Sequence, residues 1–226
     1  MVALGIIDMP SPNTIAKYIP TSRKPSSDKA QQSWQTFISN HMDNTWAMDF
    51  CVIPTLTFRL LYVFVVLDHS RRKVVHFAVT KQPTMAWTAQ QLREATPFGE
   101  QPKYLIRDND SIYGKDVVDF IIAAGINEVR TSYRSPWQNP FVERFIGILR
   151  RELLDHIVPL NERHLERLLK EFIANYYHSI RTHSSLDHEP PVIDMSVEKP
   201  HLSLDDKLDS KPILGGLYHG YREKAA

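Results

Sequence analysis

The sequence contains few of the features that identify several common classes of protein. Cys51 is the only cysteine, which excludes an intrachain disulfide and a zinc site built from thiolates, and this usage fits a reducing cytosol. The longest strongly apolar run, Leu60 to Leu67, is far shorter than the roughly 20 residues that a membrane-spanning helix needs. No signal peptide, glycine-rich dinucleotide turn or phosphate-binding loop is recognisable. We therefore expect a cytoplasmic protein that has no membrane partner and no nucleotide cofactor.

Net charge is also nearly absent. The formal charge is +1, which excludes a protein that coats a polyanion through bulk positive charge. Positive charge is instead local, because the segment 130–151 holds five arginines and one acidic residue. The arginines are Arg130, Arg134, Arg144, Arg150 and Arg151. They indicate either a local polyanion site or the solvated face of a helix.

Apolar periodicity predicts one mixed α/β core over residues 44–195, and an apolar fraction of 42% supports it. The predicted strands are 46–53, 59–68, 73–80, 103–108 and 127–132, and the predicted helices are 84–95, 115–124, 140–154 and 161–180. Three strands joined by short turns make an antiparallel meander, and later strands separated by helices add in parallel. The expected fold is therefore a five-stranded mixed sheet flanked by helices, with its first strand central.

The segments on either side of this core are expected to be less regular. Within residues 1–43, a short helix over Ser11–Pro20 precedes a polar, basic connector at 21–32. Residues 196–226 are polar and predict a weakly ordered tail. The apolar residues through which this tail is expected to dock are Ile213, Leu214 and Leu217.

Three acidic residues interrupt or close apolar segments of the predicted core. Asp49 lies within the first strand, Asp108 ends the fourth, and Glu143 lies in the opening turn of the third helix. Taken singly, Asp49 could face solvent, Asp108 could start a turn, and Glu143 could be a surface residue that stabilises the helix dipole. Buried carboxylates are costly unless paired, and a divalent cation is a partner that three of them can share. Together they predict a site for Mg²⁺ or Mn²⁺.

The spacing and surroundings of these acids resemble those of a known family. Glu143 follows Asp108 by 35 positions (143 − 108), as in the D,D,E catalytic core of retroviral integrases and bacterial insertion-sequence transposases. The stretch 135–143 is similar to their Ser-Pro-x-x-Asn-x-x-x-Glu motif, and 176–186 is similar to their Tyr-Asn-x-x-Arg-x-His-x-x-Leu ending. The likeness covers roughly 44–191. Pro140 and Asp110 depart from the pattern, since each replaces a glycine.

The resemblance implies a fold, an activity and partners. It implies a ribonuclease H-like catalytic core in which Asp49, Asp108 and Glu143 bind two Mg²⁺ or Mn²⁺ ions. That site would hydrolyse phosphodiesters at the ends of a mobile element and join the freed 3′ hydroxyl to target DNA. The five arginines become candidate contacts for DNA phosphates. A homodimer or higher oligomer on DNA is expected, as is a helix-turn-helix remnant within residues 1–43.

Two alternatives remain open at this stage. A ribonuclease H-like nuclease would share the fold and the metal site but would only shorten nucleic acid strands. A truncated, inactive transposase copy would bind DNA or partner subunits without catalysis.

Overall fold

The computed structural model of the chain describes residues 28–97, 99–132, 135–193 and 208–223. The chain divides into two compact units, 1–40 and 41–226. The helix predicted at Ser11–Pro20 lies outside the described residues. Helix α1 spans Asp28–His41, so the last five residues of the predicted connector, 28–32, are helical instead.

Five strands form a mixed sheet in the second unit. They are β1 (Thr45–Pro54), β2 (Leu60–Asp68), β3 (Val74–Thr80), β4 (Tyr104–Arg107) and β5 (Asn127–Arg130). Their order is β3-β2-β1-β4-β5. The first three strands pair antiparallel, whereas β4 adds parallel to β1 and β5 adds parallel to β4. The predicted five-stranded sheet with a central first strand is confirmed.

Two helices, α2 (Met85–Ala95) and α3 (Lys115–Ala123), share one buried core with the sheet. Thr84 begins α2 by accepting a hydrogen bond from the Trp87 amide. The core that these helices form with the strands includes Met48, Phe64, Val66, Leu92, Val117 and Ile121. Because side chains alternate along a strand, Met48 and Asp49 face opposite sides of the sheet. Asp49 therefore faces away from α2 and α3.

Helix α4 (Pro140–Leu149) packs against β1 and β2, and α5 (Glu162–Glu171) packs against β3. The apolar stripe predicted for α4 is buried, and it comprises Val142, Phe145, Ile146, Leu149 and Leu153. Each helix continues as a π-helical segment, over Arg150–Leu154 and Phe172–Tyr177. The sequence predicts one uninterrupted helix in each place. None of the described helices is long and apolar enough to cross a bilayer.

The tail contains more regular structure than expected. Strands β6 (Leu208–Ile213) and β7 (Tyr218–Glu223) form an antiparallel hairpin. Ile213 and Leu214 are buried, and the Leu214 amide donates to the Glu171 carboxylate at 2.6 Å. Over residues 208–223 the expectation of a weakly ordered tail is therefore corrected. Docking supplies the order, because a lone two-stranded hairpin is marginal in water.

Candidate active site

Asp49 and Asp108 occupy equivalent positions on adjacent parallel strands. The register of β1 against β4 pairs Ala47 with Ile106. Asp49 lies two residues beyond Ala47, and Asp108 lies two residues beyond Ile106. Neighbouring strands are about 4.8 Å apart, so the backbones that carry the two aspartates run side by side. The main-chain pairing of these strands ends just before the aspartates.

The electrostatic state of Asp49 reflects both its burial and its acidic neighbours. Burial is the largest cause that raises its pKa, and a hydrogen bond of 2.7 Å from the Phe50 amide opposes it. The negative charges of Asp108, Glu143 and Asp110 then raise the pKa further, to about 7 from an ordinary 3.8. Four carboxylates therefore share one region, and the other three each make the ionisation of Asp49 more costly.

Glu143 reaches this region because the start of α4 is tied to β1. Asn139 stands at the N-cap position and Pro140 at the first helical position, as predicted. The Asn139 side chain, however, does not cap the helix but donates to the Met48 carbonyl at 3.4 Å. The Glu143 amide in turn donates to the Asn139 carbonyl at 3.3 Å. Glu143 thus lies one helical turn after Asn139, whose side chain is hydrogen-bonded to Met48, the neighbour of Asp49 in β1.

The three predicted ligands are not drawn together into one ligand set. In the part of the chain that the structure describes, no three His, Cys, Asp or Glu side chains converge closely enough to hold a metal ion. Their donor chemistry still fits Mg²⁺ or Mn²⁺, since these hard cations bind carboxylate oxygen. The raised pKa of Asp49 fits as well, because a carboxyl group that is withdrawn from solvent beside other acids is stabilised by either a proton or a cation. Asp108 and Glu143 are exposed, so their side chains can turn without repacking the core.

The loop after β4 is held by its own polar side chains. Asp110 caps a short 3₁₀ turn by accepting from the Ile112 amide at 3.0 Å, and its own amide donates to the Asp108 carboxylate at 3.0 Å. Asn109 donates to the Thr131 carbonyl at 2.6 Å, which ties the loop to the end of β5. Asp110 thus has a structural role where the family pattern has a glycine, while adding negative charge beside Asp49.

Arg107 is an important residue of this region that the sequence did not reveal. The residue is only 2% exposed, and its side chain forms an ion pair with Glu128, to which Nε donates at 2.6 Å. Its Nη1 donates to the Asp108 carbonyl at 2.8 Å. Arg107 therefore fixes the main chain that carries the second aspartate. The only sequence feature that could have indicated this role is a cation inside an otherwise apolar strand.

The five candidate arginines differ in their surroundings. Arg130 forms an ion pair with Glu128 at 2.9 Å, so part of its charge is already neutralised. Arg134 lies outside the described residues. The other three, Arg144, Arg150 and Arg151, are exposed on α4 and its π-helical continuation.

Arg151 lies near Gly147 on its own helix, and Arg150 acts electrostatically on Cys51 of β1. The Arg151 guanidinium passes close to Gly147, where a Cβ would meet it at 3.2 Å, and Gly147 is one turn beyond Glu143. Arg150 lowers the pKa of Cys51, although burial dominates and raises that pKa to about 12. Cys51 is therefore an inert thiol, as expected.

The stretch 176–186, which resembles the Tyr-Asn-x-x-Arg-x-His-x-x-Leu ending, holds the two π-helical segments together. Glu152 of the first segment accepts hydrogen bonds from Tyr176 Oη at 3.0 Å and from Arg181 Nε at 2.9 Å. Tyr177 Oη donates to the Arg72 carbonyl at 3.0 Å, and the Val74 amide donates to His178 Nε2 at 3.0 Å. In these contacts the motif stabilises the packing of the fold. Glu152 is the partner that sequence reasoning missed.

This sheet, with acids beside its central strand and a helix anchored over them, is the ribonuclease H-like fold of integrase and transposase catalytic cores. Residues 124–191 match the family model described as "Integrase core domain". The resemblance inferred from the motifs is therefore confirmed. A search among curated proteins gave no match.

Two solved structures with TM-scores above 0.5 support the same fold. The catalytic domain of the Mos1 mariner transposase aligns with a TM-score of 0.55 at 13% identity, covering 68% of this chain and 83% of that one. The simian T-cell lymphotropic virus intasome in complex with PP2A regulatory subunit B56 gamma gives 0.52 at 19% identity, covering 81% and 67%. The HTLV-2 integrase catalytic core domain in complex with magnesium gives 0.48 at 17% identity, covering 66% and 93%.

Proposed function

We propose that this protein is a metal-dependent polynucleotidyl transferase that cuts DNA at element ends and joins the freed 3′ hydroxyl to target DNA. The observation that carries the proposal is the register of β1 against β4, which sets Asp49 and Asp108 at equivalent positions on adjacent parallel strands. The start of the helix that carries Glu143 is bonded to Met48, beside Asp49, and the direction in which the pKa of Asp49 is raised agrees with acidic neighbours there. The integrase core match over 124–191, which includes Glu143, supports this reaction class. A nearly neutral protein with its exposed arginines beside such acids is suited to a phosphodiester substrate.

In this proposal each part of the site has a separate task. Asp49, Asp108 and Glu143 bind two divalent cations, Mg²⁺ or Mn²⁺. Such ions would activate the attacking water in the cutting step and the 3′ hydroxyl in the joining step, and would stabilise the departing oxygen of each in-line displacement. Arg144, Arg150 and Arg151 bind DNA phosphates and orient the strand, as do Arg130 and Arg134 at the approach to the helix. Because two element ends must be held together, the active species is a homodimer or higher oligomer on DNA.

The test is a strand-transfer assay with labelled DNA and Mg²⁺ or Mn²⁺. The variants Asp49→Asn, Asp108→Asn and Glu143→Gln should each lower the rate by at least about a hundredfold, because each removes a charge that binds the cation. Asp110→Asn is the matched control, since asparagine preserves the cap of the 3₁₀ turn and Asp110 is not a proposed ligand. It should retain most of the activity. Full activity in any of the three ligand variants contradicts the assignment.

A second candidate is a DNA-binding or subunit-binding protein without catalysis. It is favoured by the absence, among the described residues, of three acids gathered into a ligand set. The same assay separates the two candidates. Joined strands indicate transfer, shortened strands alone indicate a nuclease, and binding without metal-dependent cleavage indicates the inactive protein.

A further inference from the structure

An apolar groove lies at the end of the sheet where β1 turns into β2. It has a volume of about 580 Å³ and separates this turn from the segment that follows the π-helical continuation of α4. Its apolar lining includes Val52, Pro54, Leu56, Phe58, Leu154 and Val158. Val52, Leu56 and Val158 are 42%, 60% and 54% exposed. Large apolar side chains that are exposed together mark contact surfaces, whereas single ones are ordinary.

The two walls of the apolar groove are bonded to each other through the main chain. The Leu56 amide donates to the Pro159 carbonyl at 2.9 Å, which joins the turn to the segment after α4. The Thr55 amide donates to the Arg59 carbonyl at 2.8 Å and closes the turn itself. The main chain therefore fixes the spacing of the walls.

Phe58 stands at the rim of the groove and is 88% exposed. Its φ is 58°, which a bulky residue rarely adopts. Its amide donates to the Thr55 carbonyl at 2.8 Å, so the turn holds it in this conformation. Backbone strain of this kind persists where the surrounding structure enforces it, and it is common at ligand contacts. The same surface thus presents an exposed aromatic ring and an apolar hollow.

The groove also carries one charge of each sign. Arg150 and Asp155 both line it, and both are exposed. A polyanion or a polycation would therefore meet a like charge at one of these two positions. A second copy of the chain meets neither problem, because in a two-fold interface each contact occurs twice with the partners exchanged. Arg150 of each copy then faces Asp155 of the other.

We propose that the apolar groove is a contact surface between two copies of this chain. Phe58 of each copy enters the groove of the other, and Arg150 pairs with Asp155 across the two-fold axis. This association needs neither DNA nor a metal ion, so it is tested separately from the proposed reaction. Because the groove is small, we expect a weak dimer with a dissociation constant in the micromolar range.

The first test measures the mass of the full chain by sedimentation equilibrium, without DNA or metal. The wild type should change from monomer to dimer as its concentration rises through the micromolar range. Phe58→Ser should weaken dimerisation by at least about tenfold, because buried aromatic anchors carry much of the energy of a contact. A wild type that remains monomeric at millimolar concentration, or wild-type dimerisation of Phe58→Ser, overturns the inference.

The matched control for this test is Ile122→Ser. Ile122 is 70% exposed, but it lies on α3 and does not line the groove. This variant should dimerise as the wild type does. An equal loss in Ile122→Ser and Phe58→Ser overturns the inference, because it would mean that exposed apolar area in general drives the association.

The second test reverses charges at exposed positions, where the fold tolerates the change. Asp155→Arg places two cations opposite each other and should weaken dimerisation by about fivefold. Addition of Arg150→Glu to the same chain exchanges both members of the pair and should restore dimerisation. A double variant that dimerises no better than Asp155→Arg overturns the two-fold arrangement.

Other occupants of the groove give different results. If DNA binds there, Asp155→Arg should tighten the binding of a DNA duplex and leave the mass of the free protein unchanged. If a segment of the same chain lies there, Phe58→Ser should lower the thermal midpoint of a protein that is monomeric throughout. Either result overturns the inference. The strand-transfer assay of the wild type remains the separate test of the proposed function.

Discussion

Arg107 illustrates how a single buried residue can organise the candidate site. Its guanidinium joins Glu128 of β5 to the Asp108 carbonyl, so one side chain connects two strands to the loop that carries an acid. Glu128 also pairs with the exposed Arg130. A buried ion pair contributes little net stability, but removing one partner is strongly destabilising because the other remains buried and charged.

Replacement of Arg107 should therefore be costly. We expect Arg107→Met to lower the free energy of unfolding by about 3 kcal/mol, because Glu128 keeps its charge in a largely buried position. Urea unfolding measures this loss. Arg130→Met removes the exposed partner of the same glutamate and should cost at most about 1 kcal/mol. Equal losses of unfolding free energy in the two variants would contradict the explanation that the buried Arg107 matters more to Glu128 than the exposed Arg130.

At the level of secondary structure, the two π-helical segments are the feature that most distinguishes α4 and α5 from ordinary helices. A π turn leaves an extra residue in the helix and is often found at functional sites. Here the segments meet through Glu152, which binds Tyr176 and Arg181. The hairpin adds a further contact, because Tyr218 Oη donates to the Glu152 carbonyl at 2.7 Å and its ring stacks on Tyr176. The π-helical end of the helix whose first turn carries Glu143 is thereby held both by the second π-helical segment and by the hairpin.

This arrangement predicts energetic coupling between Glu152 and Arg181. In a double-mutant cycle with Glu152→Ala and Arg181→Ala, we expect a coupling energy of about 1 to 2 kcal/mol, because the pair is half-buried and has several hydrogen bonds. The reference is the exposed pair of Lys81 and Glu162, 3.2 Å apart. Its coupling should be below about 1 kcal/mol. Similar values for both pairs would show that the π-helical contact is ordinary surface electrostatics.

For the whole molecule, three histidines are expected to dominate the response of the fold to acid: His69 and His183, which are buried, and His178, which is half-buried. Burial lowers the pKa of His69 to about 3 and of His178 and His183 to about 4. Nearby cations contribute in each case: Arg72 for His69, Lys73 for His178 and chiefly Arg181 for His183. The folded protein therefore keeps these rings neutral under conditions in which the unfolded chain protonates them.

Stability should consequently fall as the pH is lowered from about 6.5 to about 4. Over that window the three imidazoles bind more protons in the unfolded state, whereas Asp49, with its pKa raised to about 7, binds one more proton in the folded state. Three groups outweigh one, so the free energy of unfolding rises with pH between about 4 and 6.5. Urea unfolding at pH 7, 6 and 5 measures the slope. His178→Gln should reduce the slope by about one proton, since glutamine can still accept from the Val74 amide.

The control for this pH dependence is His156→Gln, at an exposed position. Its slope should equal that of the wild type. If the free energy of unfolding of the wild type did not change between pH 7 and 5, the three histidines would not be held neutral in the folded state.

Most of the elements could be predicted because apolar periodicity is a local property of the chain. The strand predicted at 46–53 spans Thr45–Pro54, and the helix predicted at 115–124 spans Lys115–Ala123. The π-helical segments were not predictable in this way, since the spacing of apolar residues hardly differs between an α-helix and one with an added π turn. The hairpin at 208–223 was missed because its order depends on docking contacts such as that of Leu214 with Glu171.

The sequence by itself determined the strand order, the family resemblance and the three candidate acids, because these follow from periodicity and from spacing along the chain. Tertiary structure alone decided which acids interact, since the raised pKa of Asp49 depends on burial and on charges far away in sequence. It also decided that Arg107 is buried and paired with Glu128. Whether a side chain is buried, and which groups it bonds to, is decided only when distant segments of the chain pack together. The residue type alone determines neither.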